Sequence, residues 1–160
     1  LISNEIVRPI PLDTRLRAIP GPEIDIYGDT LAAQFWQTRW QISPQSNRMG
    51  CRLLGKSLFA NANAPDSNPL IDSLRSHAVL PGTVQLPPSG LPVILLADAQ
   101  TTGGYPRFAK VIDADLWKLA HIPVGGNLTI ESCNQDQAVM ALKHREQYLY
   151  KISSATSRKL

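Results

Sequence analysis

Cysteine is scarce in this sequence: Cys51 and Cys133 are the only two, far apart, with no C-x-x-C and no histidine cluster beside either. That spacing offers no zinc framework, so no metal site is expected, and two isolated thiols read as the reduced cysteines of a cytoplasmic protein. Long apolar runs are missing as well. The most apolar stretch, Pro92 to Leu96, falls far short of the roughly 20 residues that span a bilayer. The N-terminus has no basic start followed by an apolar core, so a soluble, cytoplasmic protein without membrane contact is expected. Charge of one sign is also in short supply. Sixteen Lys and Arg against thirteen Asp and Glu leave +3, with several cations gathered between Lys143 and Lys159. No cationic stripe is interleaved with aromatics, so these read as a solvated basic tail over residues 151–160 and not as a nucleic-acid surface.

What is present suits one domain. A chain of 160 residues can enclose a single core, and 13 Pro with 10 Gly favour many short elements over long helices, which leans toward β structure. The chain starts at Leu1 and runs at once into the proline-rich "VRPIPLDTRLRAIPGPE", which reads as an inter-domain linker. Residues 1–14 are therefore expected to link residues 15–150, the domain itself, to another part of a longer polypeptide.

Periodicity supplies the elements. "GDTLAAQFWQ" reads as a short helix capped by Asp29 or Thr30, with Leu31, Phe35 and Ala32 along one face and Phe35, Trp36 and Trp40 in the core. "TRWQIS" alternates as a strand. In "NRMGCRLLG" the period of two puts Met49, Cys51 and Leu53 on one face and Arg48, Gly50 and Arg52 on the other. "GTVQLP" and "LPVILLAD" are strands joined at "PPSG", "PRFAKVI" and "GGNLTIES" are further strands, and residues 61–69 are loop by composition. Asp113 is expected to cap a helix, "DADLWKLAH", with Leu116, Leu119 and Ala120 buried. Asn134 and Gln137 form a capping box for a last helix reaching about Tyr150. Six or seven short strands with three helices, in no βαβ alternation, predict a mainly β barrel or sandwich.

Residues 50–57, "GCRLLGKS", fit the phosphate-loop pattern letter for letter, but the context fails. The pattern needs an apolar strand before it and a helix opening at Lys-Ser. Here a polar, turn-rich segment precedes, a proline soon follows, and Arg52, Leu53 and Leu54 would crowd the loop. A strand and turn with Lys56 exposed accounts for the residues better.

Residues 97–107, "ADAQTTGGYPR", raise the functional question. A buried strand ends in Asp98 and is followed by Gln100, Thr101, Thr102, Gly103, Gly104 and Tyr105. A hairpin capping its own backbone would use such residues, and so would a ligand mouth, where glycines admit backbone amides and Tyr105 offers a ring and a hydroxyl. Arg48 and Arg52 on one strand face, Ser46 in a dense polar turn and Gln85 beside a second Pro-Gly bend favour the mouth. Together they make a cationic, donor-rich site suited to a carboxylate, carbamate or amide.

"SPQSNRMGCRLLG", "LPGTVQLPPSGLPVILLADAQTTGGYPRFAKVI" and "DLWKLAHIPVGG" resemble, in order, motifs of the family of biotin-dependent carboxyltransferases and 5-oxoprolinase C subunits, also called the allophanate hydrolase subunit 2 domain, with KipA-like members. The resemblance runs from about residue 15 to 132 and covers only the C-terminal half of that family; Cys51 stands where an aromatic is usual and Lys56 where proline is common. It implies a cyclophilin-like closed β-barrel. It also implies an amide or lactam hydrolase component, 5-oxoprolinase-like and active only within an ATP-dependent complex. Its partners would be the N-terminal lobe, a subunit 1 (KipI-like) protein and a LamB-type partner. Two alternatives stay open: a carboxyltransferase that moves a carboxyl group from carboxybiotin, supplied in trans, to urea or a similar amide, and a KipA-like regulator that binds a KipI-like partner. No biotin-bearing Met-Lys motif occurs, so no covalently bound cofactor is expected. For an N–C=O substrate, Arg48 and Arg52 would hold an anionic group, Asp98 would handle the amide proton, and Tyr105 would stack or relay. Ser46, Gln85, Gln100, Thr101, Thr102 and the Gly103–Gly104 amides would orient. His77, His121 and His144 receive no role.

Overall fold

A computed structural model describes residues 14–60 and 74–157, so the expected linker over residues 1–14, apart from Thr14 at the start of the first strand, and the expected loop at 61–69 lie outside the described residues. Seven strands close a barrel in the order β1 (Thr14–Pro20), β8 (Arg107–Val111), β5 (Thr83–Gln85), β6 (Val93–Leu95), β3 (Gly50–Leu54), β2 (Trp40–Ile42) and β9 (Asn127–Ser132). The fold is thus the closed, mainly β barrel that the sequence predicts. Closure comes from β9 lying parallel to β1, with Thr14 opposite Leu128 and Ala18 opposite Ser132. A separate two-stranded ribbon joins β4 (His77–Ala78) to β7 (Thr102–Gly103).

The barrel is filled by the inward residue of each pleat. Leu16, Trp40, Leu53, Val84, Ile94, Phe108, Val111, Leu128 and Ile130 are buried, and in β1, β2 and β9 the side chains between the buried ones are more exposed. Helix α1 (Gly28–Gln37) buries Phe35, whose ring meets Trp36 at 4.7 Å and Phe108 at 4.9 Å, edge to face. Trp40 is fully buried and gives its indole N–H to the Phe35 carbonyl at 3.3 Å, so no polar group is stranded there.

Several local readings change. The proline-rich start hides β1: only Leu16 and Ala18 are apolar and inward, with Arg17 between them and Arg15 before, so the period of two is masked by composition. Helix α1 has no side-chain cap; Tyr27 stands at its N-cap and Asp29 lies in the first turn. Helix α2 (Leu116–Leu119) is a single turn, with Ala120 exposed just beyond it. Asp113 does not cap it, because its carboxylate binds Lys110 at 3.0 Å. Helix α3 (Gln135–Ser157) does open on the expected capping box, with reciprocal bonds of 2.9 Å between Asn134 and Gln137. It runs on past Tyr150, since no glycine or proline interrupts it and Thr156 bonds the Ile152 carbonyl at 2.6 Å.

Two ion pairs with buried carboxylates and partly exposed arginines fasten the outer layer. Glu23, 7% exposed, takes two side-chain bonds and the backbone N–H of Arg107, which ties the segment after β1 to β8. Gly21 makes that approach possible, because a Cβ there would overlap the Arg107 carbonyl. Asp115, 1% exposed, is held by Arg17 and Lys118 and ties β1 to α2. Opening either pair would strand a buried carboxylate, at a cost below the roughly 3–5 kcal/mol of a fully buried pair because the arginines keep some solvent.

Candidate functional site

The site is built where β3 and β6 run past their ends. Gly50 pairs with Leu95 and Arg52 with Val93, and the ladder continues outward through Met49 and Leu96 at 3.0 Å and Arg48 and Asp98 at 3.2 Å. The turn that feeds β3 is fixed by its own side chains. The Asn47 side-chain oxygen accepts the Met49 N–H at 2.9 Å, and the Ser46 hydroxyl accepts the Arg52 N–H at 3.0 Å. The segment borders two hollows, with Ser46, Arg48 and Cys51 on the larger, Met49, Gly50 and Arg52 on the smaller, and Asn47 between them on both.

The smaller hollow, about 240 Å³, is lined by Arg52, Gln85, Gln100, Tyr105, Asn47 and Met49, with Gly50, Pro87 and Val93 beside them. Gln85 is its distinctive member. The residue is 2% exposed, and its side-chain Nε2 is buried without a hydrogen-bond partner among the described residues. An N–H held out of water with nothing to bond is a costly feature that a bound acceptor would relieve. Gly103 of the ribbon lies over it: a Cβ at Gly103 would stand 2.5 Å from that Nε2. The glycine therefore lets the ribbon cover the amide without displacing it.

The larger hollow, about 800 Å³, opens at the barrel end. Ile42, Leu95, Leu119 and Ile122 give it apolar walls, and Ser46, Arg48 and Asp98 stand at its polar edge. Arg48 and Asp98 bind each other at 2.8 Å, and both are substantially exposed. Cys51 is also in the wall. Burial pushes its thiol up to about 11, against a smaller opposing effect of a Ser46 hydrogen bond, so it stays protonated at neutral pH and is no nucleophile there.

The predicted residues are thus divided. Arg52, Gln85, Gln100 and Tyr105 meet in the small hollow, while Ser46, Arg48 and Asp98 meet in the large one. Thr101, Thr102 and Gly104 line neither; Thr102 and Gly103 form β7, and the Thr101 carbonyl accepts the Val79 N–H at 2.9 Å. Sequence reasoning missed Asn47 and Met49, although an Asn three residues before a glycine is a turn signal that could have found Asn47. Residues 50–57 form β3 and a turn, with Lys56 exposed and the Ser57 hydroxyl on the Ser89 carbonyl at 2.9 Å, so they make no phosphate cradle. No group of three His, Cys, Asp or Glu among the described residues could hold a metal. No helix among them is long and apolar enough to cross a membrane.

Residues 2–132 match a family described as the carboxyltransferase domain, subdomain A and B. The chain is 41% identical over 139 residues to the 5-oxoprolinase C subunit of Escherichia coli (strain K12), an alignment that takes in 87% of this chain and 42% of that protein. It is 39% identical over 153 residues to the 5-oxoprolinase C subunit of Haemophilus influenzae, over 95% of this chain and 47% of the other. The chain therefore spans about half the length of these relatives. Among solved structures, the K. lactis urea amidolyase superposes with a TM-score of 0.75 at 18% identity, over 91% of this chain and 9% of that one, a likeness of fold alone.

Proposed function

The chain belongs to the carboxyltransferase domain family, and from that premise we propose that it is one lobe of a multi-subunit, ATP-dependent enzyme acting on an amide or lactam N–C=O group, as the 5-oxoprolinase name of its relatives suggests. The observation that carries the reading is the unpartnered Gln85 amide on the wall of the small hollow. A carbonyl oxygen of the substrate accepts from Gln85 Nε2, and the interaction strengthens as negative charge develops on that oxygen. Arg52 holds an anionic group of the same substrate, and the amide oxygens of Gln100 and Asn47 offer acceptors for its N–H. Tyr105, 46% exposed, covers the ring face. Arg48 and Asp98 act across the neighbouring wall as an ion pair, with the guanidinium orienting the carboxylate toward the amide N–H of the substrate. In this reading nucleotide is handled by partner subunits, since Lys56 sits on an exposed turn after a strand.

A second reading has its own support in the large apolar hollow beside Arg48 and Asp98. Ile42, Leu95 and Ile122 would hold the ring of a carboxybiotin delivered in trans, which would supply an activated carboxyl group for transfer to an amide nitrogen. The test is turnover by the complete complex, with the full-length protein and its partner subunits. ATP hydrolysis stimulated by a cyclic amide and lowered about 100-fold in Gln85→Met supports the first reading. Binding of biotin that Arg48→Ala weakens in the same complex supports the second. Assembly of the complex without either result would refute both and point to partner regulation.

A further inference from the structure

A third cleft, about 510 Å³, runs between α2 and α3. Its charged lining comes from three elements: Arg17 of β1, Asp115 and Lys118 at α2, and Arg145 of α3. Asp115 is already fully engaged. Arg17 reaches its two oxygens at 2.9 and 2.8 Å, and Lys118 reaches it at 3.0 Å. Two cations therefore share one carboxylate.

Arg145 adds a third positive centre. It donates to the neutral Asp113 carbonyl at 3.2 Å, the Asp113 carboxylate is taken by Lys110, and no carboxylate among the described residues forms an ion pair with Arg145. Beside these cations stand Trp117, Tyr148, Leu149 and the ring of His144. An excess of guanidinium and ammonium donors next to planar and apolar walls complements a negative headgroup carried on an apolar body. We propose that this cleft binds a small organic anion, carboxylate- or phosphate-headed with a planar or aliphatic body, at a site apart from the hollow that holds Gln85. Trp117 and Arg145 also line the large hollow, so a ligand in the cleft fixes two side chains of the barrel-end wall. The inference does not depend on the proposed reaction.

The experiment titrates the whole chain with naphthalene-2-carboxylate, 2-naphthyl phosphate and the neutral 2-naphthamide, followed by amide and indole N–H signals in heteronuclear NMR spectra. Expected are saturable 1:1 shifts at residues 114–118 and 141–149 with one or both anions, and binding of the neutral amide at least tenfold weaker. Arg145→Gln should weaken the anion at least fivefold. Leu149→Asp, at an exposed wall position, tests the same point without touching a buried contact and should weaken it similarly. Carboxylate binding alone or phosphate binding alone supports the proposal and decides which headgroup the cleft prefers. Equal binding of anion and amide, shifts centred on the barrel end, affinity unchanged in both variants, or no binding of either anion would overturn the proposal.

Discussion

Gln85→Met separates stability from function in one substitution. The two side chains have nearly the same length and volume, so Met fills the same space while removing a buried Nε2 that bonds nothing among the described residues. A buried, unsatisfied donor costs about 1–3 kcal/mol, and no hydrogen bond of this Nε2 is lost in exchange. The isosteric apolar swap itself costs less than about 1.5 kcal/mol. The balance is a gain of about 1 kcal/mol, which for a chain of this size raises Tm by about 2–4 °C. The assay is a thermal melt by circular dichroism at neutral pH, run beside turnover of the complete complex. Stability should rise while activity falls about 100-fold. A Tm lowered by more than about 2 °C would show that the amide is already satisfied in the free protein, by ordered water, and the argument that it awaits a substrate carbonyl would fail.

Gly103→Ala should leave Tm within about 2 °C, because the Cβ would collide with the end of a side chain and not with backbone; it should still lower turnover about as much as Gln85→Met, by turning the amide away. Asp115→Asn should cost about 2–4 kcal/mol in urea denaturation, somewhat less than for a fully buried pair because Arg17 keeps some solvent. The same group predicts a pH dependence. Burial pushes the Asp115 carboxyl up, but bonds from Arg17 and Lys118 outweigh it and hold the folded pKa below its usual value. The unfolded chain then takes up this proton first, so stability is complete above about pH 4 and declines as pH falls further, a slope that Asp115→Asn should reduce. At pH 8 Cys51 should resist iodoacetamide in the folded protein and react on unfolding in guanidinium, as mass spectrometry would show; fast native alkylation would contradict its burial and its pKa of about 11.

The sequence by itself determined the barrel's inner face. In Cys51, Arg52 and Leu53 the pleat sends the apolar residues inward and the arginine outward as the alternation predicts, while Met49, expected on the same inner face, lies just before the strand and is half exposed. The capping box at Asn134 was legible for the same reason: its hydrogen bonds are local. The family was legible because its motifs stand in order along the chain. Strand β1 was not, since its inward face is only Thr14, Leu16 and Ala18, and what makes it a strand is the parallel ladder to β9 more than a hundred residues away. The candidate site was half legible. Arg52, Gln85, Gln100 and Tyr105 could be named from composition, but nothing local says that Arg48 turns to Asp98 while Arg52 faces Gln85. That division, like the sharing of Asp115 between Arg17 and Lys118, depends on which strand ends meet, and only closure of the barrel decides it.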